Sequence, residues 1–135
     1  IRYIDNTTVI CSGLSGFHYK PPFHIHNYPL FITAATGMDI DEEGLWQTSR
    51  RVRNLVRCIN IRRGLRRKDE APPADHWKKR FPEYEEKLLD EYYKLKGWNE
   101  EGIPTKETFL ELGLDYVYED FVKRGILEEV KSGIV

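Results

Sequence analysis

Between Asp41 and Gly64 the sequence repeats apolar residues at three- and four-residue steps: Leu45, Val52, Leu55, Val56 and Ile59, with Thr48 and Arg63 on the same period. That period belongs to a helix and not to a strand, whose side chains alternate in twos. Asp41 can accept from the exposed N–H groups of a first turn, Glu42 and Glu43 suit its positive end, and Gly64 supplies a stop. The spacing predicts one amphipathic helix of about six turns. Its apolar face must find a core. Its other face is basic, because nine Lys/Arg and no acid lie between Arg50 and Lys68. Such a face needs water or anions.

Gly and Pro cut the rest of the chain into shorter pieces. Residues 1–11 mix apolar, polar and β-branched residues, and propensity leaves their class open. Residues 12–29 set Pro21, Pro22 and Pro29 among Phe17, Tyr19, Phe23 and Tyr28. They read as a loop that packs, since flexible linkers are not this aromatic. A short helix is predicted over Leu30–Thr36 with Gly37 as its cap. Pro72 and Pro73 break the chain after the basic run. Tyr84, Leu88, Leu89, Tyr92 and Leu95 then share one face of a second helix that stops at Gly97, and this helix is expected to pack on the apolar side of the first, around Leu55. Thr105 is placed to cap a short helix ending at Gly113, and Asp115 to start another carrying Val117, Phe121 and Val122 to Gly125. Helices joined by such turns imply an all-α fold, an irregular bundle of short and medium helices.

At 135 residues, with 40% hydrophobic and 13% aromatic content, the chain can bury one core. It opens on Ile1 rather than Met, and its first residues read as element rather than tail, so the expectation is a piece of a longer polypeptide. No apolar run approaches the roughly 20 residues that cross a bilayer, which points to a soluble, cytoplasmic protein. Cys11 and Cys58 are too few for a disulfide framework, and reduced thiols are expected. Charge divides along the chain: residues 1–68 carry 11 Lys/Arg against 5 Asp/Glu, and residues 69–135 carry 10 against 17. A basic stripe can mark nucleic-acid binding, but there is no helix-turn-helix signature and little aromatic interleaving. A solvated helix face, and a face that meets anionic groups of a larger protein, both remain open.

Catalytic signals read from the residues alone are sparse. His24 and His26 would lie on one side of an extended segment, an arrangement compatible with two metal ligands, with no third ligand at useful spacing. Glu85, Glu86, Asp90 and Glu91 fall on the wet face of the second helix. There is no phosphate loop, no nucleophile elbow and no Cys-x-x-Cys pair. Cys11 is followed by Ser12-Gly13, which leaves backbone room for an inorganic cluster, although a lone cysteine is more often a small buried hydrophobe. Catalytic residues are not assignable at this level. An independent helical interaction module with a basic docking face is the alternative to an enzyme fragment.

Several blocks in order carry a resemblance. Ala34-Ala35-Thr36-Gly37 precedes Asp39-Ile40-Asp41-Glu42-Glu43; Arg53-x-Leu55-x-Arg57-x-x-Asn60-x-Arg62-x-Gly64-x-x-Arg67-Lys68-Asp69 follows; then come Leu89-Asp90-Glu91-Tyr92-Tyr93-x-Leu95-x-Gly97-Trp98, Gly102-x-Pro104-Thr105 and Leu112-Gly113-Leu114. Together they resemble the C-terminal region of the aldehyde:ferredoxin oxidoreductases over about residues 1–120. Arg63, where the family more often has Glu, and the Pro/His-rich stretch 17–29 are more similar to the tungsten-dependent aromatic-ring (benzoyl-CoA) reductases of the same superfamily.

The resemblance implies a large enzyme in which a tungsten bis-pyranopterin lies beside one [4Fe–4S] cluster, and electrons pass to ferredoxin or an iron–sulfur subunit. It implies residues 1–37 as a cofactor-proximal segment and packed loop, and residues 38–135 as a helical C-terminal domain completed by the remainder of its own polypeptide. The family's Asp-x-x-Gly-Leu-Cys segment corresponds to Asn6-Thr7-Thr8-Val9-Ile10-Cys11. By that correspondence Cys11 supplies a cluster thiolate, while Asn6, Val9 and Ile10 line the pterin. Asn6 stands where Asp is usual: it keeps a carbonyl acceptor and loses the charge, which weakens a hydrogen bond to a pterin amino group. Asp5 could take that place by a one-residue shift. The implied substrate is an aldehyde or an aromatic acyl-CoA.

Overall fold

The computed structural model describes Thr8, residues 25–70 and residues 84–128. Five helices appear there, and no strand among the described residues: α1 Tyr28–Thr36, α2 Glu42–Arg62, α3 Glu85–Lys96, α4 Lys106–Glu111 and α5 Asp115–Lys123. The fold is all-α, as the periodicity requires. The chain forms two compact units, Ile1–Val56 and Arg57–Val135, and the division falls within α2.

Helix ends obey the local chemistry read from the sequence. A Gly37 N–H donates to the Thr33 carbonyl at 2.8 Å and closes α1, which starts two residues before the expected position because Pro29 is tolerated in a first turn. Asp41 Oδ1 accepts from the Gly44 N–H at 2.8 Å and so caps α2. At the other end of α2, Arg66 Nη1 donates at 2.9 Å to the Ile61 carbonyl, an acceptor that the helix terminus leaves open, and at 2.8 Å to the Leu65 carbonyl beyond it. Thr105 caps α4 by accepting from the Thr108 N–H.

Within the first unit Tyr28 and Leu45 pack together with Ile32 and Ile40 around them. His26 Nδ1 meets Glu42 Oε2 at 2.6 Å, so this histidine engages a carboxylate; His24 lies outside the described residues. Within the second unit Phe109 and Phe121 stack edge-on at 5.8 Å, and Leu112, Leu114 and Val117 are buried with them.

Two expectations about helix faces fail. On α2 the buried residues are Leu45, Ser49, Asn54, Arg57, Cys58 and Ile61, whereas Leu55 is half-buried and Thr48, Val56, Ile59 and Arg63 are exposed. One stripe assumes one partner surface along the whole helix, and α2 contributes its two halves to two different units. On α3 the buried residue is Tyr93, while Leu88 and Leu95 face solvent. Apolar period overlooked Tyr93 because its burial depends on a hydroxyl partner and an aromatic neighbour, which hydropathy does not register.

Candidate functional site

The last turns of α2 present Arg57. The Arg67–Glu70 turn brings the chain back so that Glu70 faces it, α3 contributes Tyr93, and the loop after α3 contributes Trp98 and Gly102. That loop is self-supporting. Asn99 Oδ1 accepts from the N–H groups of Glu101 and Ile103 at 3.1 and 3.0 Å, and Trp98 and Pro104 form an antiparallel bridge. The Gly97 carbonyl accepts from the Thr105 N–H at 2.9 Å and the Thr108 hydroxyl at 2.7 Å.

Arg57 is the centre of this cluster. Its Nη1 and Nη2 donate to the two oxygens of Glu70 at 2.6 and 2.7 Å, and its Nε donates to the Gly102 carbonyl at 2.8 Å. The guanidinium carbon lies 4.6 Å from the centroid of Trp98 and 5.6 Å from that of Tyr93, cation–π contacts worth about 0.5–2 kcal/mol each. Gly102 has φ +71°, and a Cβ there would run into the Arg57 guanidinium and stand 2.7 Å from Tyr93 Cζ. Only glycine fits both the backbone and the space.

The Arg57 side chain is 7% exposed and that of Glu70 25%. Burial works against the Arg57 charge, but the bidentate carboxylate outweighs it and holds the guanidinium above its ordinary range. Burial, with the Glu70 carboxylate that accepts the Tyr93 hydroxyl, pushes the Tyr93 phenol up to about 12. Burial likewise pushes the Cys58 thiol up to about 12, against the opposing field of Arg57. At neutral pH Tyr93 and Cys58 keep their protons and Arg57 its charge. The cluster can brace and orient.

Beside it Arg67 reaches Glu86 Oε2 at 2.5 Å, Asp90 Oδ1 at 2.7 Å and the Glu100 carbonyl at 2.9 Å, with its guanidinium carbon 5.4 Å from the Tyr93 centroid. These contacts raise the Arg67 pKa, the hydrogen bond to Glu86 most. An open groove of about 980 Å³ runs past Arg67, Glu86, Asp90 and Trp98. Arg57, Arg66 and Arg67, three members of the basic stripe, are thus engaged inside the chain and are not presented for docking.

Residues 1–114 match the family described as aldehyde ferredoxin oxidoreductase, domains 2 & 3. The chain belongs to that family. The aldehyde ferredoxin oxidoreductase blocks quoted from the sequence meet in the structure, since Arg57 and Arg67 come from one, Asp90, Tyr93 and Trp98 from the next, and Gly102 from a third. The chain is 32% identical over 101 residues to the tungsten-containing aldehyde ferredoxin oxidoreductase of Pyrococcus furiosus, which covers 68% of this chain and 17% of that protein. It is 33% identical over 97 residues to the enzyme of the same name from Thermococcus kodakarensis, covering 65% and 16%. Among solved structures, the active site complex BamBC of benzoyl coenzyme A reductase in complex with 1,5 dienoyl-CoA contains a chain 61% identical, with a TM-score of 0.88 over 95% of this chain and 20% of that one. The chain therefore spans a fifth or less of the length of these relatives.

Within this oxidoreductase family the sequence singled out Asn6, Val9, Ile10 and Cys11, and all four lie outside the described residues. Among the described residues no group of three or more His, Cys, Asp or Glu could hold a metal, and Cys58 is a buried free thiol. Sequence reasoning missed Glu70, one residue past the quoted block. The available signal was its place as the first acid, with Asp69, after an acid-free basic run. No helix in the described residues is long and apolar enough to cross a membrane.

Proposed function

We propose that this chain is the C-terminal part of the catalytic subunit of a tungstopterin and [4Fe–4S] oxidoreductase that acts on an aromatic acyl-CoA and exchanges electrons with ferredoxin or an iron–sulfur subunit in the cytoplasm. The observation that carries this reading is the 61% identity over 95% of the chain to the benzoyl coenzyme A reductase structure, about twice the identity to the aldehyde enzymes. An aldehyde substrate is the second reading, supported by relatives named for that activity. In either case residues 1–37 form a cofactor-proximal segment and residues 38–135 a helical domain.

In this reading Cys11 would be one thiolate ligand of the cluster, and Asn6, Val9 and Ile10 would line the pterin, where the Asn6 side chain offers a carbonyl acceptor. When bound, the tungsten group supplies two-electron chemistry. The described residues supply support: the Arg57–Glu70 pair fixes the end of α2 against α3 and the 97–105 loop, and a rigid surround is what holds first-coordination groups in place.

Purification of the complete protein without oxygen, followed by metal analysis and assays with both substrate classes, tests this. Tungsten, about four irons per polypeptide and dye-linked turnover of an aromatic acyl-CoA are expected. Absence of both metals would remove the oxidoreductase reading. Aldehyde oxidation with no acyl-CoA activity would transfer it to the second substrate class.

A further inference from the structure

Helix α3 is apolar on two sides. Tyr93 points into the Arg57 cluster and is buried. Tyr84, Leu88, Tyr92 and Leu95 follow one another at steps of four, four and three residues, which aligns them in a second stripe along the helix. Leu88 is 58% exposed and Leu95 78%. Singly exposed leucines are ordinary on protein surfaces, but residues aligned over nearly three helical turns form a continuous face, and such faces mark contact surfaces. The same unit buries Arg57 and Thr108, so the exposure does not come from a shortage of polar residues to place outside.

What covers the stripe follows from its chemistry and from the size of the relatives. The match covers 20% of the benzoyl coenzyme A reductase chain, so four fifths of that chain lies beyond the matched part. Permanent domain contacts are apolar like a divided core, whereas electron-transfer partners meet through small, polar and reversible patches. Charged residues border the stripe and do not interrupt it: Glu91 lies on one side, Glu85 and Lys96 on the other, and Lys96 Nζ sits 5.4 Å from the ring centroid of Tyr92, which is half-buried against Trp98. We propose that the Tyr84–Leu88–Tyr92–Leu95 face of α3 is an internal interface, packed against another domain of the same polypeptide in the complete oxidoreductase. This rests on the reading that the chain is part of that larger enzyme.

The test uses the complete enzyme carrying Leu88→Cys or Leu95→Cys, treated anaerobically with a maleimide, with peptide mapping to read the labelled position. Labelling at least about tenfold slower than after unfolding in urea is expected, as for a site reached only through local opening. The protection should be the same in the isolated catalytic subunit and in its complex with an iron–sulfur subunit. Labelling as fast as in the unfolded protein would overturn the proposal. Protection that appears only in the complex, or only on raising the subunit concentration, would overturn it in favour of the partner or of a second copy. Carbene footprinting of Leu88 and Leu95 in the unsubstituted enzyme gives the same answer if either variant misfolds. An enzyme loaded with tungsten but labelled at the stripe would sink the interface alone, and a protected stripe in a metal-free enzyme would sink the oxidoreductase reading alone.

Discussion

Tyr93 carries several links at once: its hydroxyl donates to Glu70, its ring receives Arg57 and Arg67, and it packs 5.7 Å from Trp98. The phenol is neutral in the fold because a phenolate would face the Glu70 carboxylate in a buried setting, which raises its pKa from 10.0 to about 12. A folded-state pKa above the unfolded one gives stability that is complete below the unfolded value. That stability is lost as the pH rises through the folded one. The protein should therefore hold its urea midpoint up to about pH 10 and lose stability from there to about pH 12, whereas Tyr93→Phe should be weaker at neutral pH and lack this alkaline limb. Urea titrations read by tryptophan emission over that range decide it, and identical limbs for the two proteins would contradict the assignment. The residue types of this cluster are visible in the sequence blocks. Their pairing is not, because Arg57 sits in the middle of a basic run and finds its carboxylate 13 residues away, across a turn.

On α2 the expected core position, Leu55, is half-buried, while Ile61 is 1% exposed. Ile61→Ala should cost about 2–5 kcal/mol, the usual range for emptying a filled core site, and Leu55→Ala clearly less. Hydrogen exchange of the α2 amides in the two variants measures the difference, and equal losses would restore the original stripe. Helix ends were legible because a cap is local: Asp41, Thr105 and the stops at Gly37 and Gly97 each act within a few residues of themselves. Faces were not, because α2 and α3 each carry more apolar surface than one partner can cover. Period alone cannot rank Leu88 against Tyr93, and the choice is made by Arg57 and Glu70, which are distant in sequence, together with Trp98 just past the end of α3.

For the whole molecule, family membership was legible because the quoted blocks sit where backbone geometry restricts residue identity, at Gly97, Gly102 and Thr105, and where side chains from separate elements must meet, at Arg57 and Tyr93. The cofactor segment was legible only as a resemblance, since Cys11 stands in the sequence without further cysteines at a recognisable ligand spacing. Cysteine substitutions in the complete enzyme separate the two thiols. Cys11→Ala should lower iron content and visible absorbance, because a cubane loses one of its four thiolates. Cys58→Ala should leave the iron in place, because Cys58 packs as a small buried side chain in the middle of α2. Iron lost with Cys58 and retained without Cys11 would remove the cluster assignment. The Arg57 cluster also bears on how such a chain reaches its fold. Arg57 closes on Glu70 over 13 residues, on Tyr93 over 36 and on Gly102 over 45. Chain entropy charges more for each longer closure, and a guanidinium stripped of water before its carboxylate arrives is strongly disfavoured. Contacts within α4 and α5 span few residues and can form early. The late event is then the desolvation of one charge, and the joining of the end of α2 to α3 and the 97–105 loop must wait for it.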